Sequence, residues 1–138
     1  MIASITLGVP DLDRAMTFYR QFMEAVGWDE KFATRRSPPG PWAGFHPLGC
    51  DGPLLILAHP DCPHSPTRPG TGPAITFAVA TRARVDAAHA LALALGGADE
   101  GPPGLRTQYH ADYYGAYVRD PDGNKLCFVC HAPEELTR

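Results

Sequence analysis

The chain of 138 residues carries 12 Lys and Arg against 15 Asp and Glu, a formal net charge of −3, and 44% of its residues are hydrophobic. That length suits one compact domain able to bury roughly two thirds of its unfolded surface without disulfides or a structural metal. The mild acidity gives no basic footprint for nucleic acid or an anionic membrane, and no apolar run nears the length of a bilayer span, so neither partner is expected.

In chain order, a strand is predicted from Ile2 to Val9 and a helix from Asp11, a good N-cap with Asp13 in the first turn. Met16, Tyr19, Phe22, Met23 and Val26 recur at three- and four-residue spacing as an apolar stripe, and Gly27 ends the helix. Strands follow near Trp28 to Thr34, Trp42 to Pro47 and Pro53 to Ala58, with the proline-rich Ser37 to Pro41 as a loop. Residues 61–72, rich in proline and containing Cys62, His64 and Arg68, read as a linker. Beyond it come a strand from Ala74 to Ala80, a helix from Arg82 to Leu95, and strands near Ala98 to Arg106, Tyr113 to Arg119 and Lys125 to Cys130. Asp120-Pro121-Asp122-Gly123-Asn124 joins the last two as a tight hairpin turn, and residues 132–138 form a tail.

The order repeats. Ser4-Ile5-Thr6-Leu7-Gly8-Val9 lies over Ala74-Ile75-Thr76-Phe77-Ala78-Val79 at an offset of seventy residues, and Ala15 to Gly27 over Val85 to Gly97. With one inserted residue, Asp51-Gly52 falls on Asp122-Gly123 and Leu54-Leu55-Ile56-Leu57 on Lys125-Leu126-Cys127-Phe128. The chain is therefore read as one domain, 1–138, of two βαβββ modules, 1–60 and 73–131. The fold class is α+β. Ile5, Leu7 and Val9, and Ile75, Phe77 and Val79, share the parity that receives the helices; Ser4, Thr6, Gly8 and Ala74, Thr76, Ala78 leave small side chains on the other face. A curved mixed sheet with helices on its convex face and a small-molecule cleft on its concave face is expected.

Four cysteines, Cys50, Cys62, Cys127 and Cys130, with no leader-like segment, predict reduced thiols and a cytoplasmic setting. Cys127 and Cys130 are three apart on a strand and face opposite sides, a poor arrangement for zinc. Tyr109, His110, Asp112, Tyr113, Tyr114 and Tyr117 form a polar-aromatic cluster, with His110 the candidate general base. Against it stands the plain reading of a loop histidine beside strand tyrosines with their hydroxyls in water. Arg35 and Arg36 are candidates for gripping a carboxylate or phosphate at the mouth of the first module, or a solvated strand end. Trp42 and Phe45 are candidates for an aromatic wall or for core. His59 and His131 read as strand-end residues, His89 as a helix-surface residue, and His46 and His64 have no role.

The duplicated module, the opening "ITLGVPDLDRAMTFYRQFMEAVGW" and the closing "YYGAYVRDPDGNKLCFVCH" resemble the vicinal oxygen chelate superfamily, which includes glyoxalase I, extradiol dioxygenases and bleomycin-resistance proteins. The resemblance implies a divalent metal held by His, Glu or Gln from the first and last strands of each module. Carried onto this chain, those slots hold Ser4, Ile56, Ala74 and Cys127. Isoleucine and alanine have no donor atom, so no metal and no cofactor are expected. Cys127 has only Lys125 on its own strand face to activate it, and is read as an inert thiol. The resemblance implies a homodimer that binds a small, partly apolar molecule in a cleft lined by Ser4, Thr6, Ile56, Ala74, Thr76, Cys127, Tyr113, Tyr117, Trp42 and Arg35. A metal-dependent lyase, isomerase or dioxygenase, using ligands such as His110 from outside the four slots, is the second reading.

Overall fold

A computed structural model describes residues 2–36, 40–59 and 74–134. The expected linker, with Cys62, His64 and Arg68, lies outside them, as does the end of the tail. The first module runs β1 (Ser4–Gly8), α1 (Leu12–Ala25), β2 (Trp28–Thr34), β3 (Trp42–Pro47), β4 (Leu54–Ala58), and the second β5 (Ile75–Ala78), α2 (Arg82–Ala94), β6 (Ala98–Leu105), β7 (Tyr114–Arg119), β8 (Lys125–Cys130). Both helices start on a side-chain cap: Asp11 accepts from the Arg14 N–H and Thr81 from the Arg84 N–H, each at 3.1 Å. Both end at a glycine with positive φ, Gly27 at +89° and Gly96 at +98°.

Each module forms its own four-stranded mixed sheet, in the orders β1-β4-β3-β2 and β5-β8-β7-β6. The repeat seen in the sequence is a repeat of register. Thr6 lies opposite Ile56 in the parallel β1–β4 pair, and Thr76 lies opposite Cys127 in the parallel β5–β8 pair. Across the next pair, Ile56 faces Gly44 and Cys127 faces Tyr117.

The helix-facing sides of both sheets feed one core. Leu7, Val9, Leu55 and Leu57 of the first sheet share it with Ile75, Phe77, Leu126 and Phe128 of the second. Phe22 of α1, fully buried, packs against Phe77 and Phe128 at ring distances of 6.1 and 5.7 Å. A buried aromatic of this size contributes about 1.5–3 kcal/mol through its area alone, here spent on holding the modules together. The sheet expected as one curved surface is thus two half-sheets, each backed by its own helix over a shared core. β1 and β5 make no contact with each other among the described residues, and each is an edge.

The hairpin turn between β7 and β8 is the polar part of that junction. The buried Asp120 carboxylate accepts from the Tyr19 hydroxyl at 2.6 Å, from the backbone N–H of Asp122 and Asn124, and from the Asn124 side-chain amide at 2.9 Å. The same amide donates to the Gly8 carbonyl at 3.3 Å, and Arg14 of α1 pairs with Asp122. Burial, and then the adjacent Asp120 charge, push the Tyr19 phenol well above its ordinary pKa. A turn read as a fold signature therefore also ties the second module to the first. His89 departs from its expectation as well: it is 8% exposed under α2 and bonds Asp99 of β6 at 2.9 Å, because the short alanines around it bring helix and sheet close.

Candidate functional site

Strand alternation gives each sheet a second face, turned away from the shared core. On the second sheet this open face carries Thr76, Cys127, Val129, Gly115, Tyr117, Lys125 and Arg119. Thr76, Cys127 and Tyr117 form one row across β5, β8 and β7. The Cys127 thiol is pushed above its ordinary pKa by burial, against the opposing pull of a hydrogen bond with Thr76 and the Lys125 charge. It is a neutral, poorly nucleophilic thiol near neutral pH, in line with the inert reading.

Glycines make room for the rings. A Cβ on Gly101 would sit 2.8 Å from the Tyr117 ring and one on Gly115 would sit 3.0 Å from Tyr113, so both rings lie flat over β6 and β7 backbone. The two hydroxyls are 3.3 Å apart. Burial, and then the Tyr113 hydrogen bond, raise the Tyr117 pKa, so it stays a hydrogen-bonding phenol. Arg106 reaches over the Tyr117 ring, 4.8 Å from its centroid, and is fixed by donating to the carbonyls of Pro102, Gly104 and Gly115.

On the first sheet the open face carries Thr6, Ile56, Ala58, Gly44, Trp42, His46 and Phe32. Phe32 lies over Gly44, where a Cβ would meet its ring at 2.3 Å, and packs against Trp42 at 5.0 Å. This aromatic pair joins one site residue expected from the sequence, Trp42, to one that was not.

The remaining expected residues are placed as follows. Ser4 is exposed at the start of β1, and Ala74 is exposed just before β5. Tyr113 shares the open face with Tyr117. His110 lies in the loop before β7, where its Nδ1 accepts from the Asp112 N–H at 3.1 Å and its Nε2 lies 2.9 Å from Nδ1 of His131. With Nδ1 accepting, the proton is on Nε2 and is donated to His131, so the partner that spacing did not reveal for His110 is the strand-end histidine. Both rings stand T-shaped to that of Tyr113, with centroids 5.6 and 5.7 Å away. Arg35, just past the end of β2, pairs with Asp13 in the first turn of α1. Tyr114 also leaves the cluster. It points to α2, donating to Asp86 at 2.6 Å, which with burial lifts its pKa to about 12. Phe45 is core, 1% exposed.

The donor set does not fit a divalent ion of the kind the resemblance implies. The slot positions offer one hydroxyl, Ser4, and one protonated thiol, Cys127, beside Ile56 and Ala74, and no three His, Cys, Asp or Glu converge among the described residues.

Two βαβββ modules, each with an open sheet face built from a first and a last strand, define a class of duplicated folds. The profile of the Glyoxalase/Bleomycin resistance protein/Dioxygenase superfamily matches residues 1–128, and the chain belongs to that superfamily. Among solved structures it is similar to a glyoxalase/bleomycin resistance protein from Albidiferax ferrireducens, 29% identical with a TM-score of 0.76, covering 94% of this chain and 98% of that one. It is also similar to a glyoxalase-related enzyme from Fulvimarina pelagi, 26% identical with a TM-score of 0.68, covering 94% and 87%. A genomically encoded fosfomycin resistance protein from Listeria monocytogenes shares the fold at 20% identity and a TM-score of 0.66, covering 94% and 92%. No curated protein matches the sequence. No helix among the described residues is long and apolar enough to cross a membrane.

Proposed function

We propose that this protein binds a small, partly apolar organic molecule on the open faces of its sheets, as a homodimer and without a metal ion. The observation that carries this reading is the lining itself: half-buried Phe32, Trp42, Tyr113 and Tyr117 flank the Thr6–Ile56 and Thr76–Cys127 positions, a mostly apolar surface with a few placed hydroxyls. The metal-free part rests on the chemistry of the slots, where a hydroxyl, a high-pKa thiol and two hydrocarbon side chains replace a ligand set.

The dimer is supported by the edges. The outer strands β2 and β6 carry the usual protection against pairing, with charges and bulges in both and Pro102 and Pro103 in β6. The edges β1 and β5 have neither charge, proline nor bulge. Setting β1 of one copy beside β5 of another would bring the open face of a first sheet next to that of a second, completing a cleft that one chain divides between separate faces. A cytoplasmic setting is in keeping with free thiols at Cys50, Cys127 and Cys130.

The test uses the neutral fluorophore N-phenyl-1-naphthylamine. Binding that survives dialysis against EDTA, does not change on adding nickel, zinc, manganese or iron, and is lost in Ile56→Glu supports the reading. Binding that appears only with one of those ions overturns the metal-free part, and binding indifferent to Ile56→Glu overturns the site.

A further inference from the structure

The open face of the second sheet has a charge pattern unlike the rest of the chain. It holds three cations, Arg106, Lys125 and Arg119, against one carboxylate, Glu100, in a protein whose formal net charge is −3. Glu100 is taken up by Arg119, which holds its carboxyl below the usual range. Arg106 and Lys125 make no ion pair with a carboxylate among the described residues, and both are half-buried against Tyr117, at 4.8 and 5.5 Å from its ring centroid. Two cations on one ring use up what the ring's negative face can offer.

Donors converge at the same place. Lys125 has three N–H donors and sits one strand residue from Cys127 on the same face. Of the paired hydroxyls of Tyr113 and Tyr117, one donates to the other, leaving a proton free to donate outward. Among the described residues the acceptors near them are already engaged: the carbonyls of Pro102, Gly104 and Gly115 by Arg106, and the Glu100 carboxylate, whose charge also reaches Lys125, by Arg119, while the thiol of Cys127 is neutral. A cationic ligand would meet like charge, and a neutral one would leave a half-desolvated ammonium whose counter-charge, Glu100, is already held by Arg119.

We propose that the ligand is an organic acid, its anionic group seated at Lys125 beside Tyr117 and Arg106 and its apolar body lying along Cys127 and Val129. The proposal rests on the open-face reading above and narrows it to a class of ligand: carboxylates, sulfonates or phenolates on an aromatic or flat apolar frame.

The experiment compares two probes that differ by one anionic group, 1-anilinonaphthalene-8-sulfonate and N-phenyl-1-naphthylamine, titrated into the full chain at low salt. The sulfonate is expected to bind about tenfold more tightly, the size of one partly desolvated charge contact, with the difference shrinking as salt rises. Lys125→Met should bring the ratio of the two affinities to about one, with far-UV circular dichroism and the melting temperature confirming that the variant folds. Equal affinity for both probes, or a preference that persists in Lys125→Met, overturns the acid while the open-face reading stands. Failure of the wild-type chain to bind either probe overturns both.

Discussion

At the scale of single residues, the site is governed by groups whose protons are held in place. Cys127 is the clearest case, because its position matches a slot where the superfamily resemblance implies a metal ligand, while burial keeps its thiol protonated. Cys50 is exposed. Brief treatment with iodoacetamide at pH 7.5, read by peptide mass mapping, should label Cys50 at least about tenfold faster than Cys127; comparable rates would mean an activated thiol on the open face. Tyrosines give a pH signature. Of the five in the chain, Tyr19, Tyr114 and Tyr117 have pKa values raised above the ordinary 10.0, Tyr114 to about 12. A phenol whose folded value exceeds its unfolded one keeps its proton in the native state where the unfolded chain has lost it. Its stabilisation is therefore complete below the unfolded value and fades as pH rises through the folded one. Chemical denaturation should show stability falling between pH 10 and 12, with a shallower fall in Tyr114→Phe, which has no proton to lose.

At the scale of elements, the repeat offset made most of the fold legible. It aligned the modules, laid Thr6 over Thr76 and Ile56 over Cys127, and set the parity of the open faces. What escaped has a local cause in each case. Strand alternation from the core-facing Trp28 would put Phe32 on the helix side, but a register shift between Glu30 and Phe32 inserts one residue and swings the ring onto the open face. Gly44, which accepts that ring, gave no signal because a glycine in a strand has several explanations. His131 was available: the hairpin register pairing Tyr114 with Cys130 sets residue 113 opposite residue 131, next to His110. Arg106 was not, since only a folded β6 carries its long side chain across Tyr117. The turn ending at Asn124 was recognised as geometry, yet its acceptor, Asp120, also takes the Tyr19 hydroxyl from the other module. Asp120→Ala leaves that hydroxyl and the Asn124 amide with fewer partners in a buried junction, a cost of about 2–4 kcal/mol in chemical denaturation. Asp51→Ala, in the exposed turn before β4 and aligned with Asp122, should stay within about 0.5 kcal/mol. Equal costs would mean that Asp120 serves only its own turn.

At the scale of the whole molecule, the governing fact is that the two helix-facing surfaces share one core while the two open faces do not share a cleft. A chain arranged this way keeps its modules together through Phe22, Phe77, Phe128 and the Asp120 turn, and leaves β1 and β5 as bare edges. The proposed dimer turns that exposure into function, since each composite cleft would take an aromatic wall from one copy and the tyrosines and Lys125 from the other. Its test can be aimed at the backbone. The Val79 N–H bonds the Val129 carbonyl inside the sheet, so by alternation the N–H groups of Thr76 and Ala78 point to the free edge. Ala78→Pro deletes one edge donor and no bond to β8, which makes proline tolerable within the chain and obstructive to a strand laid alongside. Light scattering after size exclusion should give a dimer mass for the wild type and a monomer mass for the variant, with unchanged far-UV circular dichroism. Binding of the neutral naphthylamine probe should fall with the dimer. A variant that stays dimeric would place the interface elsewhere, and a monomeric variant that binds the probe at full strength would mean that one sheet's open face suffices.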